Sequence, residues 1–252
     1  MDGHAPKTNE TWIMSDAAQT SPKAAAHYNA DYFAWQQKSG EFGGWANVDK
    51  YRTSVTASDR VLDFGCGGGF LLANLDCAAR FGIEPNPSAR EMAASNGVTV
   101  FANAADALAA LSPGTIDVIV SDNALEHALE PWRELQSIRP LLKQGGLLHI
   151  VVPCEGISWK YKADDINQHV YSWSPQSLGN LLKAAGFEVR TSRPYIHKWP
   201  PRVAHKIARL GRPAFNLAAR LWGRIDRRWF QVEAIAIRPS ADHMRPHAGD
   251  HD

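Results

Sequence analysis

The chain has few cysteines, no long apolar run and almost no net charge. Its three cysteines, Cys66, Cys77 and Cys154, are too few for a disulfide framework and lack the spacing of a zinc site. No segment reaches the ~18 consecutive apolar residues of a membrane-spanning helix, and residues 1–10 lack the apolar core of a secretory signal. A formal charge of +1 excludes a protein that is basic over its whole surface. We therefore expect a cytoplasmic protein with reduced thiols.

The chain does have the composition of an ordinary globular protein. Of its 252 residues, 44% are hydrophobic and 21% are charged, which excludes full disorder. Neither an internal repeat nor a long linker divides the sequence. We expect one domain over residues 27–239, between polar tails at 1–26 and 240–252.

Short apolar runs alternate with helical patterns through the middle of the chain. The apolar runs predict strands at 60–64, 79–83, 98–101, 116–120, 147–152, 187–191 and 231–238. Helices are predicted at 70–76, 87–95, 104–111, 131–142 and 175–185. Because such alternation builds a doubly wound, mostly parallel sheet, we expect an α/β fold with seven strands.

Glycine, proline and capping residues set several of the predicted boundaries. Three glycines, at 40, 43 and 44, interrupt an aromatic-rich helical pattern, which predicts two short helices over 27–52. Gly145 and Gly146 predict the end of a helix before the fifth strand. Ser174 and Pro175 form a typical N-cap and first helical position, so a further helix is expected to begin there.

One glycine-rich motif follows the first predicted strand. Asp63 lies near the end of that strand, and the loop Gly65-Cys66-Gly67-Gly68-Gly69 leads into the next helix. Ligands of such sheets bind at the carboxyl ends of the strands, and glycine lets a ligand approach the backbone closely. Glu84, 21 residues after Asp63, is placed to accept hydrogen bonds from ribose hydroxyls. Asp106 opens the helix after the third strand, where it could hold an adenine amino group.

Two classes of nucleotide cofactor fit this layout. A nicotinamide fingerprint requires a third glycine where the chain has Phe70. Asp63 would repel a pyrophosphate but would suit the ammonium group of S-adenosylmethionine. The motif therefore favours S-adenosylmethionine over a nicotinamide dinucleotide.

Several segments occur in the order typical of one enzyme family. Residues 61–70, 82–86, 105–107, 117–127 and 141–147 resemble the motifs of the class I, Rossmann-like S-adenosylmethionine-dependent methyltransferases. The resemblance covers roughly residues 27–238 and implies an α/β/α sandwich whose seventh strand is antiparallel. It implies that Asp63 and the glycine loop hold the methionine part of the cofactor, Glu84 the ribose and Asp106 the adenine. The full set of cofactor-binding residues that it implies is Asp63, Gly65, Cys66, Gly67, Gly69, Glu84, Pro85, Asp106, Ala107, Asn123 and Leu125.

Residues after the fourth and fifth strands bear on the methyl acceptor. The segment after strand four lacks the Pro-Pro pair of enzymes that methylate base amino groups, and Cys154 lacks the surrounding motif of cytosine carbon-5 enzymes. Transfer to a hydroxyl requires a base near neutral pH. We favour His169, in a polar loop, over His127 for this catalytic role, and interpret His149, inside an apolar strand, as structural.

A metal ion is a weaker alternative for the same loop. Asp164, Asp165 and His169 could hold Mg²⁺, since carboxylates suit that ion. Adjacent carboxylates in a loop are more often simply solvated. We therefore predict no metal site.

Basic residues concentrate between residues 193 and 230. Ten lysines and arginines stand against one aspartate there, a net charge of +9 that leaves −8 for the rest of the chain. Apolar residues recur at 203, 207 and 210 and again at 215, 218, 222 and 225, which predicts two amphipathic basic helices. Such a segment is either a solvated surface or a site for a membrane interface or phosphates. We expect no nucleic acid, because the acidic remainder would repel a long polyanion.

The second half of the chain carries a further resemblance. Residues 167–171, 180–187 and 199–201 are similar to stand-alone methyltransferases of bacterial surface-polysaccharide synthesis. The similarity implies O-methylation of a sugar or of a glycan- or lipid-linked precursor, at the inner membrane face if the basic segment docks there. The alternatives are a non-catalytic S-adenosylmethionine-binding scaffold at a membrane, or a methyltransferase acting on RNA or protein. The sequence makes no prediction of oligomeric state.

Overall fold

The computed structural model describes residues 30–240 except residues 157 and 166, with side chains from residue 40 onward. The tails predicted at 1–26 and 240–252 lie outside this range, except for residue 240. The strands are β1 (Arg60–Phe64), β2 (Ala79–Ile83), β3 (Thr99–Phe101), β4 (Ile116–Asp122), β5 (Leu142–Cys154), β6 (Glu188–Tyr195) and β7 (Phe230–Ile237). The helices are α1 (Ala30–Tyr51), α2 (Phe70–Asn74), α3 (Pro87–Ser95), α4 (Ala104–Leu111), α5 (Pro131–Ile138), α6 (Pro175–Ala184), α7 (Ala204–Ala208) and α8 (Arg212–Ile225). Two short 3-10 turns, Leu125–His127 and Arg139–Leu141, precede and follow α5.

The strands form one sheet in the order β3-β2-β1-β4-β5-β7-β6. The first five strands are parallel, and β7 runs antiparallel between β5 and β6. The predicted Rossmann-like α/β fold, including the antiparallel last strand, is confirmed. The strand order reverses between β1 and β4, and a crevice at such a switch point is where open α/β sheets bind their ligands.

The sheet is buried on both faces. Leu62 and Ile119 belong to one hydrophobic cluster, whereas Val61 and Val120, their neighbours along the same strands, belong to another. Successive side chains of a strand point to opposite faces, so the two clusters lie on the two sides of the sheet. This double burial explains why β1 and β4 read as continuous apolar runs.

The N-terminal helix differs from its prediction. A single helix, α1, spans the three glycines that were expected to divide it. A Cβ atom built on Gly44 would lie 2.5 Å from the carbonyl carbon and oxygen of Phe70, so glycine allows α1 to cross closely over the start of α2. The prediction of two helices was wrong because this glycine serves packing between helices rather than a turn.

Replacing Gly44 with alanine is expected to lower the free energy of unfolding by about 1–3 kcal/mol, because the added methyl group would overlap the Phe70 backbone. Gly43 provides a matched control one residue away. A Cβ there would lie 3.5 Å from the Trp199 ring, an ordinary contact, so Gly43→Ala is expected to be neutral or stabilising by up to ~1 kcal/mol. Urea unfolding measures both changes, and equal destabilisation by the two variants would contradict this account.

The helix before β5 also ends earlier than predicted. α5 stops at Ile138, and Pro140, which cannot continue an α-helix, lies in the 3-10 turn that follows. Gly145 and Gly146 therefore lie inside β5 and not at a helix end. They bond to the end of β7, where the Gly145 amide donates to the carbonyl oxygen of Arg238 at 2.8 Å. By contrast, α6 begins as predicted, with a capping box between Ser174 and Ser177.

The basic segment forms the two predicted helices, α7 and α8, between β6 and β7. Because β6 runs in the same direction as β5, this insertion starts at the carboxyl edge of the sheet. Its buried face differs from the prediction: α8 buries Phe215, Ala219 and Gly223, while Ile225 is exposed, as is Leu210 in the turn before α8. Within residues 30–240, no helix combines the length and apolarity needed to cross a bilayer.

Candidate cofactor and acceptor site

Asp63 lies at the carboxyl end of β1, at the switch point of the sheet. Its side chain is 2% exposed, and its Oδ1 atom has no hydrogen-bond partner within the described residues. Burial raises the pKa of the Asp63 carboxyl well above its usual range, and the nearby Asp122 and Glu84 raise it further. A buried carboxylate without a counter-charge is costly, so this position is suited to a cationic ligand group.

The loop after Asp63 is held in a conformation that requires glycine. Gly65, Gly67 and Gly69 have backbone φ angles of 78°, 51° and 74°, which residues other than glycine rarely adopt. A Cβ on Gly65 would lie 2.3 Å from that of Ala124, whereas Gly67 faces open space. The loop is therefore packed on one side and open to a ligand on the other. Cys66 is buried, and burial raises the pKa of its thiol, so its contribution at this site is that of a neutral small side chain.

Glu84 directly follows β2 and supports the same loop. Its Oε2 accepts a hydrogen bond from the Gly67 amide at 3.0 Å, and its Oε1 accepts one from the Asn86 amide at 2.9 Å. Burial raises the pKa of this carboxyl. Pro85 is exposed, and its carbonyl oxygen accepts from Arg90 Nη1 at 2.7 Å. Glu84 is thus placed where a ribose could bind, beside the open glycine loop.

The residues predicted for the adenine side are divided between surface and core. Asp106 is exposed in the first turn of α4, where its Oδ2 accepts from Asn103 Nδ2 at 3.0 Å. Ala107 and Leu125 are fully buried in the hydrophobic core. The side chains of Ala107 and Leu125 therefore pack in the core, whereas the Asp106 carboxylate is exposed.

Asn123 follows β4 with a strained backbone. Its φ angle is 54°, and its amide donates to the carbonyl oxygen of Val151 at 2.8 Å. Gln231 Nε2 donates to Asn123 Oδ1 at 2.9 Å. A non-glycine residue in this region costs about 1–3 kcal/mol and commonly marks a functional site. The sequence does not indicate this contact, because Gln231 and Asn123 come together only when β7 pairs with β5 in the folded protein.

Asp122, beside Asn123, is held by the N-terminal helix. It accepts hydrogen bonds from Asn47 Nδ2 at 2.7 Å and from Lys50 Nζ at 2.8 Å, and Lys50 is buried. These contacts tie α1 to the carboxyl end of β4. The sequence motifs did not indicate them, although the buried lysine lies between Val48 and Tyr51, two core residues of α1.

His169 and His127, the two predicted bases, lie side by side. Their ring centroids are 5.0 Å apart. His169 Nδ1 lies 2.7 Å from Glu155 Oε1, and its Nε2 lies 4.0 Å from Glu126 Oε1. A carboxylate only accepts hydrogen bonds, so Glu155 fixes the proton on Nδ1 and leaves the Nε2 lone pair free to accept a proton. His149 lies elsewhere, fully buried, with its Nδ1 2.8 Å from Ser54 Oγ.

Glu126, like Glu155, is an acidic group of this cluster that the sequence analysis did not single out. It is fully buried, and neither carboxylate oxygen has a hydrogen-bond partner in the described part of the chain. Burial raises its pKa to about 8. Ligand atoms of Glu126, His127 and His169 lie within 4.8 Å of one another, close enough to share one cation. Asp164 and Asp165, the carboxylates considered from the sequence, are not part of this group.

The raised pKa of Glu126 makes stability depend on pH. Because the folded value of about 8 lies above the ordinary 4.5, the folded protein keeps a proton that the unfolded chain releases. The stabilisation is therefore complete below pH ~4.5 and is lost as the pH rises toward 8. Between pH 6 and 8, the melting temperature of the unmodified protein is expected to fall by about 5–10 °C more than that of the Glu126→Gln variant. Parallel pH dependence in thermal unfolding of the two proteins would contradict the prediction.

Comparison with known proteins gives a consistent result. Residues 23–192 match a family model described as a methyltransferase domain. The chain is 32% identical over 213 residues to the ubiquinone biosynthesis O-methyltransferase of Paraburkholderia xenovorans, covering 79% of this chain and 76% of that protein. It is 30% identical to the protein of the same name from Burkholderia ambifaria over 205 residues, or 78% and 74% of the two chains.

Solved structures share the fold at lower identity. A methyltransferase from Thermotoga maritima, described as a possible histamine N-methyltransferase, superposes with a TM-score of 0.61 at 16% identity, over 85% of this chain and 99% of that one. A Haloferax volcanii methyltransferase, solved with the Trm112 activator, gives a TM-score of 0.60 at 18% identity, over 83% and 98%. At such identities the likeness concerns the fold alone.

Proposed function

The chain belongs to the class I S-adenosylmethionine-dependent methyltransferases, and we propose that it transfers the methyl group of this cofactor to the oxygen of a phenolic hydroxyl. The cofactor supplies an electrophilic methyl group on a positively charged sulfur. The names of the relatives, O-methyltransferases of ubiquinone biosynthesis, support oxygen as the accepting atom. The sugar hydroxyl expected from the sequence stays a prediction, which the same assay tests.

The residues present fit the cofactor. Asp63 offers a buried carboxylate with an unpartnered oxygen to the cofactor's ammonium group. The open side of Gly67 gives room for the methionine part, and Glu84 and Asp106 offer carboxylate oxygens to the ribose and the adenine amino group. This donor set favours a cationic nucleoside over a dinucleotide, whose pyrophosphate would meet the Asp63 carboxylate.

The observation that carries the proposed reaction is the Glu155–His169 pair at the same edge of the sheet. β1, β4 and β5 are parallel, so Asp63, near the end of β1, lies at the same edge of the sheet as Glu126 and Glu155, which follow β4 and β5. Glu155 would hold the proton on His169 Nδ1, and Nε2 would accept the proton that the acceptor hydroxyl loses as the methyl group passes from the cofactor sulfur to the hydroxyl oxygen. A phenol, with a pKa of about 10 in tyrosine, gives up this proton to an imidazole far more readily than an aliphatic hydroxyl does. We therefore favour a phenolic hydroxyl as the acceptor.

The Glu126 carboxylate accepts no hydrogen bond within the described residues, which favours a second candidate role for the same cluster. One carboxylate and two imidazoles are donors that suit a divalent transition metal, and their atoms lie within 4.8 Å. Dialysis against EDTA distinguishes the two roles. Loss of activity that Mn²⁺, Zn²⁺ or Mg²⁺ restores would assign the cluster to metal binding, and unchanged activity would leave His169 as the base.

Methyl transfer from labelled S-adenosylmethionine tests the proposal. We expect label in a phenol acceptor and none in nucleotide sugars, with S-adenosylhomocysteine as the second product. Transfer to nucleotide sugars alone would overturn the choice of a phenolic hydroxyl. Tight binding of S-adenosylhomocysteine without transfer to either class would favour the non-catalytic scaffold.

A further inference from the structure

The α8 helix exposes a row of large apolar side chains. Leu217, Leu221 and Ile225 are 61%, 52% and 73% exposed. Their spacing of four residues places them on one side of the helix. Leu210, at the turn before α8, is 76% exposed. We call these four residues the apolar row. Large exposed apolar side chains grouped in one segment mark an interaction site more often than singly scattered ones do.

The apolar row belongs to a firmly anchored helix. The opposite face of α8 packs against α1, where the Phe215 ring lies 5.6 Å from Phe42 and 5.4 Å from Trp45. Arg212 Nη2 donates to Asn74 Oδ1 at 2.8 Å, and Asn216 Nδ2 donates to Asp49 Oδ2. Exposure of the row is therefore imposed by the packing of the other face and not by a loosely attached helix.

Basic side chains accompany the apolar row. Arg220 and Arg224 are exposed on α8 beside the leucines, and Lys206 and Arg209 are exposed just before it. Within the part of the chain that the structure describes, none of these four forms an ion pair, whereas Lys198 and Arg228 are paired with Asp226. Free cations around an apolar row complement an anionic lipid surface, since the apolar side chains enter the acyl boundary while arginine heads stay at the phosphates. The net −8 of the remaining chain is repelled from such a surface and so orients the molecule.

The insertion also lies beside the acceptor site. A Cβ on Gly156, two residues after β5, would lie 2.3 Å from the carbonyl oxygen of Arg228, so the end of the insertion packs on the segment that leads to His169. From this juxtaposition we propose that α8 docks the protein on an anionic membrane through the apolar row, with the acceptor site at the lipid surface. We also infer that the hydroxyl acceptor is carried by a lipid, and this part of the inference rests on the proposed function.

Sedimentation of the full chain with vesicles tests the docking. We expect binding to vesicles of phosphatidylcholine with about one third phosphatidylglycerol, little binding to phosphatidylcholine alone, and weaker binding at 0.5 M than at 0.1 M salt, because exposed charges are screened. Leu221→Ser with Ile225→Ser is expected to lower the partition coefficient about ten-fold or more, and Arg220→Gln with Arg224→Gln to lower it severalfold.

Leu129→Ser is the matched control, because Leu129 is similarly exposed, at 55%, but lies outside the insertion. It is expected to leave vesicle binding unchanged. Binding that does not depend on anionic lipid, or that survives the double serine variant, would overturn the proposal. A dimer that this variant converts to a monomer would assign the row to a second copy of the chain instead.

Failure of docking and failure of the proposed function are distinguishable. Binding of S-adenosylhomocysteine to the α8 variants in solution reports on the cofactor site alone and is expected to match the unmodified protein. If vesicles bind but a phenol with an apolar tail is not methylated faster in vesicles than a tail-less phenol, the docking stands and the lipid-borne acceptor is wrong.

Discussion

Replacing Asp63 with alanine is expected to weaken binding of S-adenosylhomocysteine by about two to four orders of magnitude. The carboxylate is 2% exposed and its Oδ1 has no partner in residues 30–240, so the ligand's ammonium group would be its missing counter-charge. Breaking a buried ion pair by removing one partner costs about 3–5 kcal/mol, and each 1.4 kcal/mol is about ten-fold in affinity. Isothermal titration calorimetry of the two proteins measures the difference directly.

The asparagine variant separates this loss from a folding defect. In the free protein, burial and two neighbouring acids raise the pKa of Asp63, so the ionised carboxylate destabilises the folded state as the pH rises from its ordinary value toward the raised one. Asp63→Asn is therefore expected to be at least as stable as the unmodified protein at pH 7 while binding S-adenosylhomocysteine poorly. If the variant unfolds normally and also binds normally, the ligand does not contact this carboxylate.

The second large effect is expected at the proposed base. His169→Ala should lower kcat by at least ~100-fold, the usual contribution of a general base, while affinity for S-adenosylhomocysteine changes by less than about two-fold. The separation follows because His169 follows β5 and is bound to Glu155, whereas the proposed cofactor-binding groups lie at or after the carboxyl ends of β1, β2, β3 and β4. Steady-state kinetics together with calorimetry provide the two numbers.

Two neighbours provide controls for this assignment. Glu155→Gln keeps the size of the side chain but no longer forces the proton onto Nδ1, so an intermediate loss of about ten-fold is expected. His127→Gln should have a smaller effect than either. A large loss confined to the His127 variant would make that residue the base. Equal losses at Glu126, His127 and His169 that a divalent ion partly reverses would support the metal role.

Much of the fold is predictable because local patterns and packing agree. The apolar runs of β1 and β4 mark strands that are buried on both faces, and the acid followed by glycines marks the turn at the switch point. The unbroken α1 was not predictable, because the reason for Gly44 is Phe70, a residue in another helix. The local sequence does not distinguish a glycine that ends a helix from one that allows two helices to cross.

The acceptor side was predicted less completely for the same reason. Glu126 is buried because the segment after His169 crosses it, with the Val170 amide donating to its carbonyl oxygen at 2.9 Å. Likewise, periodicity in α8 indicates apolar faces without telling which one is covered. The face with Phe215, Ala219 and Gly223 packs inward because small residues let the helix approach Ile196 and its neighbours closely, and this leaves the leucines outside.

The contacts between α1 and α8 have a consequence for biosynthesis. Trp45 and Phe215 pack together, and Asp49 binds Asn216 across 167 residues of sequence. At ~5–20 residues per second of translation, α1, the first helix of residues 30–240, waits roughly 10–30 s for the partner that covers Phe42 and Trp45. The aromatic side of α1 is exposed throughout that interval, so chaperone capture of nascent chains is expected to fall only once residues beyond the insertion have emerged.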